Sequence, residues 1–180
     1  MRYLLFTAAL TLLSGCIGIP EGITPVNNFD INRYTGKWYE IARLDHSFER
    51  NMQSVSAEYS VHSDGGITVI NRGLKKENNQ WKTAEGKAYF VRDNSTAHLK
   101  VSFFGPFYGS YIVFELDEEY QHAFITSTNR SYLWLLSRSP TISLDLKNHF
   151  IDKITRLGFE AKNIIFVNQD MNNMKVENNE

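Results

Sequence analysis

Side chains capable of catalysis are present in this sequence, but their spacing matches none of the common catalytic centres. It contains no Gly-x-Ser-x-Gly nucleophile elbow, no His-Glu-x-x-His zinc motif and no phosphate-binding Gly-Lys-Ser/Thr sequence. The histidines are scattered without the spacing of metal ligands, at His46, His62, His98, His122 and His149. A single cysteine, Cys16, permits neither an intrachain disulfide nor a cysteine-based zinc site. We therefore expect a binding protein with no catalytic residues, no metal and no cofactor.

The composition narrows the class of protein. Of the 180 residues, 42% are hydrophobic and 13% are aromatic, and the formal net charge is −1. That is enough apolar material for one packed domain, and it excludes intrinsic disorder, which goes with low hydrophobicity and high net charge. Nucleic-acid binding would need a concentrated excess of lysine and arginine, so we expect no nucleic-acid partner. The composition indicates a compact, near-neutral, aromatic-rich domain.

The chemistry of Cys16 depends on the segment before it. Residues 1–15 combine a basic start, an apolar run and small residues, which is the pattern of a secretory signal peptide. The run is shorter than the ~20 apolar residues needed to cross a bilayer. With the preceding Leu-Ser-Gly, Cys16 resembles the lipobox of bacterial lipoproteins, whose cysteine is lipidated. We expect lipidation of Cys16 and a tether over residues 16–28; a buried N-terminal helix and a free structural thiol are the alternatives.

Short runs rich in Val, Ile, Tyr, Phe and Thr follow one another from Trp38 onward, separated by turn residues. We predict eight β-strands, at residues 38–44, 55–61, 67–74, 81–91, 99–103, 110–116, 123–127 and 132–138. Because the breaks have hairpin length, an all-β fold is expected, an antiparallel up-and-down sheet closed into an eight-stranded β-barrel. Such a barrel can be filled by its own side chains or can hold one small ligand.

Residues 139–158 break this rhythm, because their apolar residues recur every three or four positions. That spacing predicts an amphipathic α-helix, capped by Ser139 and ended by Gly158, which packs outside the barrel. A further strand is predicted at residues 164–167, and the polar tail from Gln169 is expected to fray. The barrel with its helix would then span residues 29–170, and the polar tail residues 171–180.

Three short patterns stand in the order of the signature regions of a known family. Gly36 and Trp38 open the first strand, residues 116–120 lie between the sixth and seventh, and Arg138 closes the eighth. Over about residues 28–168 the chain resembles the lipocalins. The resemblance implies that Trp38 plugs the closed end of the barrel, with the Arg138 guanidinium on its indole, so that these signature residues are structural.

Together with the lipobox, the resemblance points to bacterial lipocalins that are outer-membrane lipoproteins. It implies storage or transport of fatty acids or lysophospholipids for membrane maintenance under stress, on the periplasmic face of the outer membrane. By resemblance, bacterial lipoproteins retained in the inner membrane would have Asp at this position, so Ile17 directly after the cysteine favours the outer membrane. The alternatives are a carrier of another small hydrophobic ligand, a structural lipoprotein with a filled barrel, or a lipid-processing enzyme. A homodimer is a further expectation.

Alternation along the strands selects the side chains that face the barrel interior. The residues we expect to contact a ligand are Tyr59, Lys87, Tyr89, Val101, Phe103, Tyr111, Val113, Tyr132 and Trp134. This aromatic and apolar set suits an acyl chain whose polar head lies nearer the mouth. The alternative for each residue is plain core packing, and a register error of one residue would turn a whole strand's set outward.

Lys87 would be an isolated cation on an inward face, which is costly unless it is paired or hydrated. Our hypothesis is that Lys87, or Arg50 near the mouth, meets a carboxylate or phosphate of the ligand. The alternative is an internal ion pair of Lys87 with Glu85, Glu40 or Glu115.

Residues 103–109 hold four aromatic side chains in seven positions. The connection between the fifth and sixth strands falls at the open mouth, because odd-numbered strands run toward that end. Exposed aromatics there could gate the cavity, touch a bilayer or form a dimer contact. The alternative is a local hydrophobic plug.

Overall fold

The computed structural model describes residues 17–63 and 65–170. The predicted signal peptide, the lipidation site Cys16 and the tail at 171–180 lie outside the described residues. Among the described residues, no helix is both long and apolar enough to cross a membrane.

Eight antiparallel strands form the barrel that the sequence predicted. They are β1 (Gly36–Arg43), β2 (Met52–Val61), β3 (Ile67–Lys75), β4 (Trp81–Phe90), β5 (His98–Phe104), β6 (Phe107–Leu116), β7 (His122–Thr126) and β8 (Leu133–Ser137). Each pairs with its neighbour in sequence, and β1 pairs with both β2 and β8, which closes the sheet. A short strand, β9 (Ile165–Phe166), pairs with the far end of β1. Closure leaves these eight strands without a free barrel edge.

The side chains of the sheet divide into two apolar clusters, one on each face. Trp38, Tyr59 and Leu99 belong to the cluster inside the barrel. Tyr39 and Phe124 belong to the cluster between the outer face and the C-terminal helix. Both faces of the sheet are therefore buried where the C-terminal helix covers the barrel, and alternation along each strand decides which cluster a residue joins.

The C-terminal helix begins later than the sequence predicted. It spans Leu144–Arg156 (α2), and the Oγ of Ser143 caps it by accepting a hydrogen bond from the Leu146 N–H. Ser139 was therefore the wrong cap; it lies in a bend before the helix. Phe150 is fully buried against the outer face of the barrel, as expected for the apolar face of an external helix.

Two segments that were expected to be loose pack against the barrel instead. Within the predicted tether Ile23 is buried, and Val26 forms backbone hydrogen bonds with Val113 and Ala97. Gln169, which was expected to fray, is only 4% exposed and donates from Nε2 to the backbone oxygens of Glu40 and Val55. Hydrogen bonds with the backbone of the barrel therefore hold both segments in place, although their composition is typical of a loop.

One end of the barrel is closed by a short helix, α1 (Ile31–Tyr34), just before β1. Its Tyr34 packs on Trp38, with ring centroids 4.7 Å apart. The opposite end, which we call the mouth, carries the connections at residues 44–51, 76–80, 105–106 and 127–132. Any ligand that enters the interior therefore passes these four connections.

Candidate ligand site inside the barrel

The closed end has the contact that the signature residues predicted. Trp38 is fully buried, and its Nε1 donates to the Tyr34 carbonyl at 2.8 Å. The Arg138 guanidinium carbon lies 3.9 Å from the centroid of the Trp38 ring. Its Nη1 and Nη2 donate to the carbonyls of Lys37 and Arg33, each at 2.8 Å. Such a cation–π contact stabilises by ~0.5–2 kcal/mol, so this end is a structural seal.

Most of the predicted ligand residues do face the interior. Tyr59 and Val113 are buried members of the inner cluster. Partly buried side chains packed against that cluster include Val101, Phe103, Tyr111 and Trp134. Tyr132 lies at the mouth, where its ring stacks on Trp134 with centroids 6.1 Å apart. Their orientation is thus the one the alternation predicted, while contact with a ligand stays a prediction.

The predicted orientation of Lys87 and Tyr89 is wrong. In β4 it is Ala88 and Phe90 that join the inner cluster, whereas Lys87 is exposed on the outer face. Tyr89 is half-buried there, its ring 6.4 Å from that of Tyr108. Both registers of this strand offer an aromatic residue to the interior, so hydrophobicity alone did not separate them.

Gly86 shows why the observed register of β4 is favoured. A Cβ at this position would lie 2.9 Å from the Phe103 ring, closer than carbon atoms normally approach. A glycine facing inward therefore makes room for Phe103, and the period of two then places Ala88 and Phe90 inward as well. The small residue was the signal that a register based on apolar side chains overlooked.

Arg50 does not enter the interior either. Its side chain is 58% exposed and binds the Asp45 carboxylate through Nε at 2.9 Å and Nη2 at 2.6 Å. The hydrogen bond from Arg50 is the main reason that the pKa of Asp45 is lowered. Two of the three proposed partners of Lys87 are occupied elsewhere, Glu40 by Arg43 and Glu115 by Lys153, and the third, Glu85, is exposed. Neither predicted cation can therefore meet a ligand head inside the barrel.

Three tyrosine hydroxyls form a chain in the interior. The Tyr111 hydroxyl lies 2.7 Å from that of Tyr34 and 2.8 Å from that of Tyr59. Burial is the largest cause of the raised pKa of each phenol. Three O–H groups supply three protons for two hydrogen bonds within the chain, so one donor is left for a ligand or water.

A polar cluster at the mouth was missed by the sequence analysis. It consists of Glu40, Arg43, His46, Glu49 and Trp134, which we call the mouth cluster. Arg43 Nη1 lies 2.6 Å from Glu40 Oε1, and Nη2 donates to the Glu49 carbonyl at 2.8 Å. Trp134 Nε1 donates to Glu49 Oε2 at 3.1 Å. In the described part of the chain, Arg43 is the only buried lysine or arginine, at 2% exposure.

Burial shifts the protonation of the mouth cluster. Burial and the neighbouring Glu49 raise the pKa of Glu40 well above its ordinary value. Burial likewise raises the pKa of Glu49, and the interaction between the two carboxyl groups contributes to the raised pKa of Glu40. Burial lowers the pKa of His46 to about 4. These shifts keep the imidazole neutral at neutral pH, and burial of the two neighbouring carboxyl groups favours one proton on the pair.

The sequence did contain one signal for this cluster. Glu40 has the same strand parity as Trp38, so it faces inward with that residue. A shift of register between Glu40 and Ala42 then turns Arg43 inward beside it. That irregularity and the loop positions of His46 and Glu49 follow from no periodicity, which is why Arg43, His46 and Glu49 were not predicted, whereas Trp134 was.

Exposed aromatic side chains surround the mouth. Phe48 is 55% exposed in the connection between β1 and β2, while Phe104 and Phe107 at the β5–β6 turn are 81% and 68% exposed. The turn lies at the mouth as predicted, and these two rings do not form a local plug.

Among the described residues, no group of three or more His, Cys, Asp or Glu side chains could hold a metal ion.

Comparison with known proteins identifies the family to which the chain belongs. A family model described as a lipocalin-like domain matches residues 29–169. The chain is 54% identical over 170 residues to the outer membrane lipoprotein Blc of Vibrio cholerae, covering 94% of this chain and 99% of that relative. It is 50% identical over 174 residues to the outer membrane lipoprotein Blc of Escherichia coli K12, covering 94% and 98%.

Among solved structures, insecticyanin from the tobacco hornworm Manduca sexta is similar with a TM-score of 0.67 at 20% identity. The similarity covers 84% of this chain and 86% of that chain, and it supports the fold alone. The family match and the nearly full-length match to outer membrane lipoproteins indicate a lipid-binding and transport protein of the bacterial outer membrane, not an enzyme. Fold, signature contacts and relatives agree that the chain belongs to the lipocalin family.

Proposed function

We propose that the barrel binds one single-chain lipid, a fatty acid or a lysophospholipid, and stores or carries it for membrane maintenance. The observation that carries this proposal is an interior that is sealed at one end by Trp38 and lined by apolar and aromatic side chains. Transfer of an acyl chain from water into this interior is favourable, by about 25 cal/mol per Å² of buried apolar surface. The buried polar groups at the mouth suit a polar head.

Native mass spectrometry of soluble protein beginning after Cys16 tests this proposal. The protein is measured as purified, after delipidation, and after adding lysophospholipid, fatty acid and diacyl lipid in competition. We expect one single-chain lipid to bind per barrel and to outcompete the diacyl lipid. Protein that accepts none of these lipids after delipidation would indicate a filled barrel and a structural role.

The proposal includes a lipid anchor on Cys16 at the periplasmic face of the outer membrane. It rests on the Leu-Ser-Gly-Cys sequence and on the relatives named outer membrane lipoproteins. Cells expressing the full chain should incorporate labelled palmitate into the protein, and Cys16→Ser should abolish the label. Label retained in Cys16→Ser would show that the lipid is attached to a residue other than Cys16.

A homodimer is also part of the proposal, with the exposed Phe104 and Phe107 covered by a second copy. Sedimentation analysis of the soluble protein should show a dimer that dissociates in Phe104→Ser/Phe107→Ser. Trp81→Ser, at an exposed aromatic residue at the start of β4, is the control. A wild-type monomer that floats with lipid vesicles would instead assign the two rings to a membrane contact.

A further inference from the structure

The mouth cluster is electrically balanced before any ligand arrives. Arg43 contributes one positive charge beside two buried carboxyl groups, Glu40 and Glu49, and burial of this neighbouring pair favours a single negative charge on it. His46 is neutral, with Nδ1 3.3 Å from Glu49 Oε2. An anionic lipid head brought into this water-poor site would therefore leave one uncompensated negative charge, which is costly in a buried environment.

The surroundings supply no further mobile cation. Around the cluster, Asp45 and Arg50 of the β1–β2 connection are exposed and neutralise each other. From β2 the Tyr59 phenol faces the carboxyl groups, and its pKa is raised, so it stays uncharged. Lys87, the cation that the sequence analysis had directed inward, lies outside. Within the described residues, Arg43 is therefore the only permanent positive charge that a buried head could use.

Arg43 also has one hydrogen-bond donor that is unpaired among the described residues. Its Nε–H has no hydrogen-bond partner among the described residues, although the side chain is 2% exposed. The ring nitrogens of His46, which is 7% exposed, likewise make no hydrogen bond of good geometry there, although Nδ1 lies 3.3 Å from Glu49 Oε2. Buried donors without partners cost about 1–3 kcal/mol each, so an acceptor on a ligand head would relieve a penalty that the protein bears.

We propose that the mouth cluster selects lipids by the charge of their head, so that an anionic head binds only together with one proton and an uncharged head binds without one. The anionic head accepts the hydrogen bond from Arg43 Nε. One proton is taken from solution and protonates the remaining carboxylate of the Glu40–Glu49 pair, and the charge of Arg43 is then balanced by the ligand. An uncharged glycerol head accepts from the same Nε with no change of protonation. The inference rests on the proposed lipid-binding function.

The experiment compares a fatty acid with the monoacylglycerol of the same chain length, titrated by calorimetry between pH 6.5 and pH 8. For the fatty acid we expect the Kd to rise about tenfold for each unit of increasing pH, as one linked proton requires. Buffers of different ionisation enthalpy should report uptake of one proton per fatty acid. The Kd of the monoacylglycerol should change less than about twofold, since no proton is linked to its binding.

Two glutamine variants locate the proton. In Glu49→Gln the ion pair of Arg43 with Glu40 remains neutral overall, so fatty acid binding should still take up one proton. In Glu40→Gln/Glu49→Gln the charge of Arg43 is uncompensated, so the fatty acid should bind without proton uptake and more tightly than the monoacylglycerol. Glu58→Gln, on the exposed face of β2, is the matched control and should behave as wild type.

The outcomes separate the two proposals. If wild-type protein binds both lipids but the fatty acid shows no proton uptake, the charge selection is wrong and the lipid-binding function stands. If neither lipid binds at any pH, the proposed function itself fails. The wild-type proton count decides the inference even if the double variant does not fold.

Discussion

The two ends of this barrel bury polar groups in opposite ways. At the closed end, the Arg138 guanidinium rests on Trp38 and donates to the carbonyls of Lys37 and Arg33. At the mouth, Arg43 and His46 are buried more deeply than the half-buried Arg138 but keep polar atoms without hydrogen-bond partners among the described residues. A seal satisfies its own polar groups, whereas a binding site leaves some for the ligand. We therefore expect mutations at the closed end to change stability and those at the mouth to change binding.

Trp38→Ala should have the largest effect on stability. Trp38 is fully buried, and truncating such a side chain costs about 3–5 kcal/mol from lost burial and the cavity left behind. Urea denaturation of wild type and variant measures the free energy of unfolding directly. Trp81→Ala, at an exposed tryptophan, provides the control and should cost little. A loss below about 1 kcal/mol in Trp38→Ala would contradict the role of this end as a seal.

Tyr111→Phe should come next. Removing the central hydroxyl leaves those of Tyr34 and Tyr59 without their shared partner in a buried region. An unsatisfied buried hydroxyl costs about 1–3 kcal/mol, so the midpoint of urea unfolding should fall accordingly. Tyr108→Phe on the outer side is the matched control. An unchanged midpoint in Tyr111→Phe would show that water already serves these hydroxyls.

His46 should make wild-type stability fall in acid. Burial lowers its pKa to about 4, so between pH 6.5 and pH 4 His46 is protonated in the unfolded chain and neutral in the folded chain. The stability contributed by neutral His46 is complete above pH 6.5 and is lost as the pH falls toward 4. Between pH 7.5 and pH 5 the part of the change that is due to His46 should be a loss of about 2 kcal/mol, which the raised pKa values of Glu40 and Glu49 oppose.

The comparison for this prediction is His46→Phe, which keeps an aromatic ring in the stack with Phe48 and Trp134. Urea unfolding at the two pH values gives the change for each protein, and the difference between the two changes isolates the imidazole. Equal acid losses in wild type and variant would mean that His46 titrates normally in the fold.

Lys87→Met should have the smallest effect. Because Lys87 lies on the outer face of β4, the Kd of a fatty acid should change less than about twofold. The sequence analysis placed Lys87 against a carboxylate or phosphate of the ligand, and in that position its loss would weaken the binding of anionic lipids selectively. A selective loss measured by competitive titration would return Lys87 to the interior and overturn the observed register.

What the sequence could predict depended on how local the signal was. The strands follow from alternation and turn residues, and the contact between Trp38 and Arg138 follows from short signature patterns. The register of β4 depended on a ring from β5 that fills the space beside Gly86, a contact between strands. Likewise, Arg43 reaches Glu40 only through a local irregularity of β1. Features that depend on contacts between elements leave little trace in a single strand's periodicity.

Quenching of tryptophan fluorescence by brominated fatty acids tests most directly that the closed end seals while the mouth holds the ligand head. Trp81 is replaced by phenylalanine in two variants, and Trp134 is also replaced in the second; Trp38 stays in place in both, and the difference between the two variants gives the signal of Trp134. We expect a bromine next to the carboxyl group to quench Trp134 most strongly, and a bromine at the methyl end to quench Trp38 most strongly. The reverse pattern, or no quenching of either tryptophan at saturating lipid, would contradict a ligand lying in the barrel with its head at the mouth.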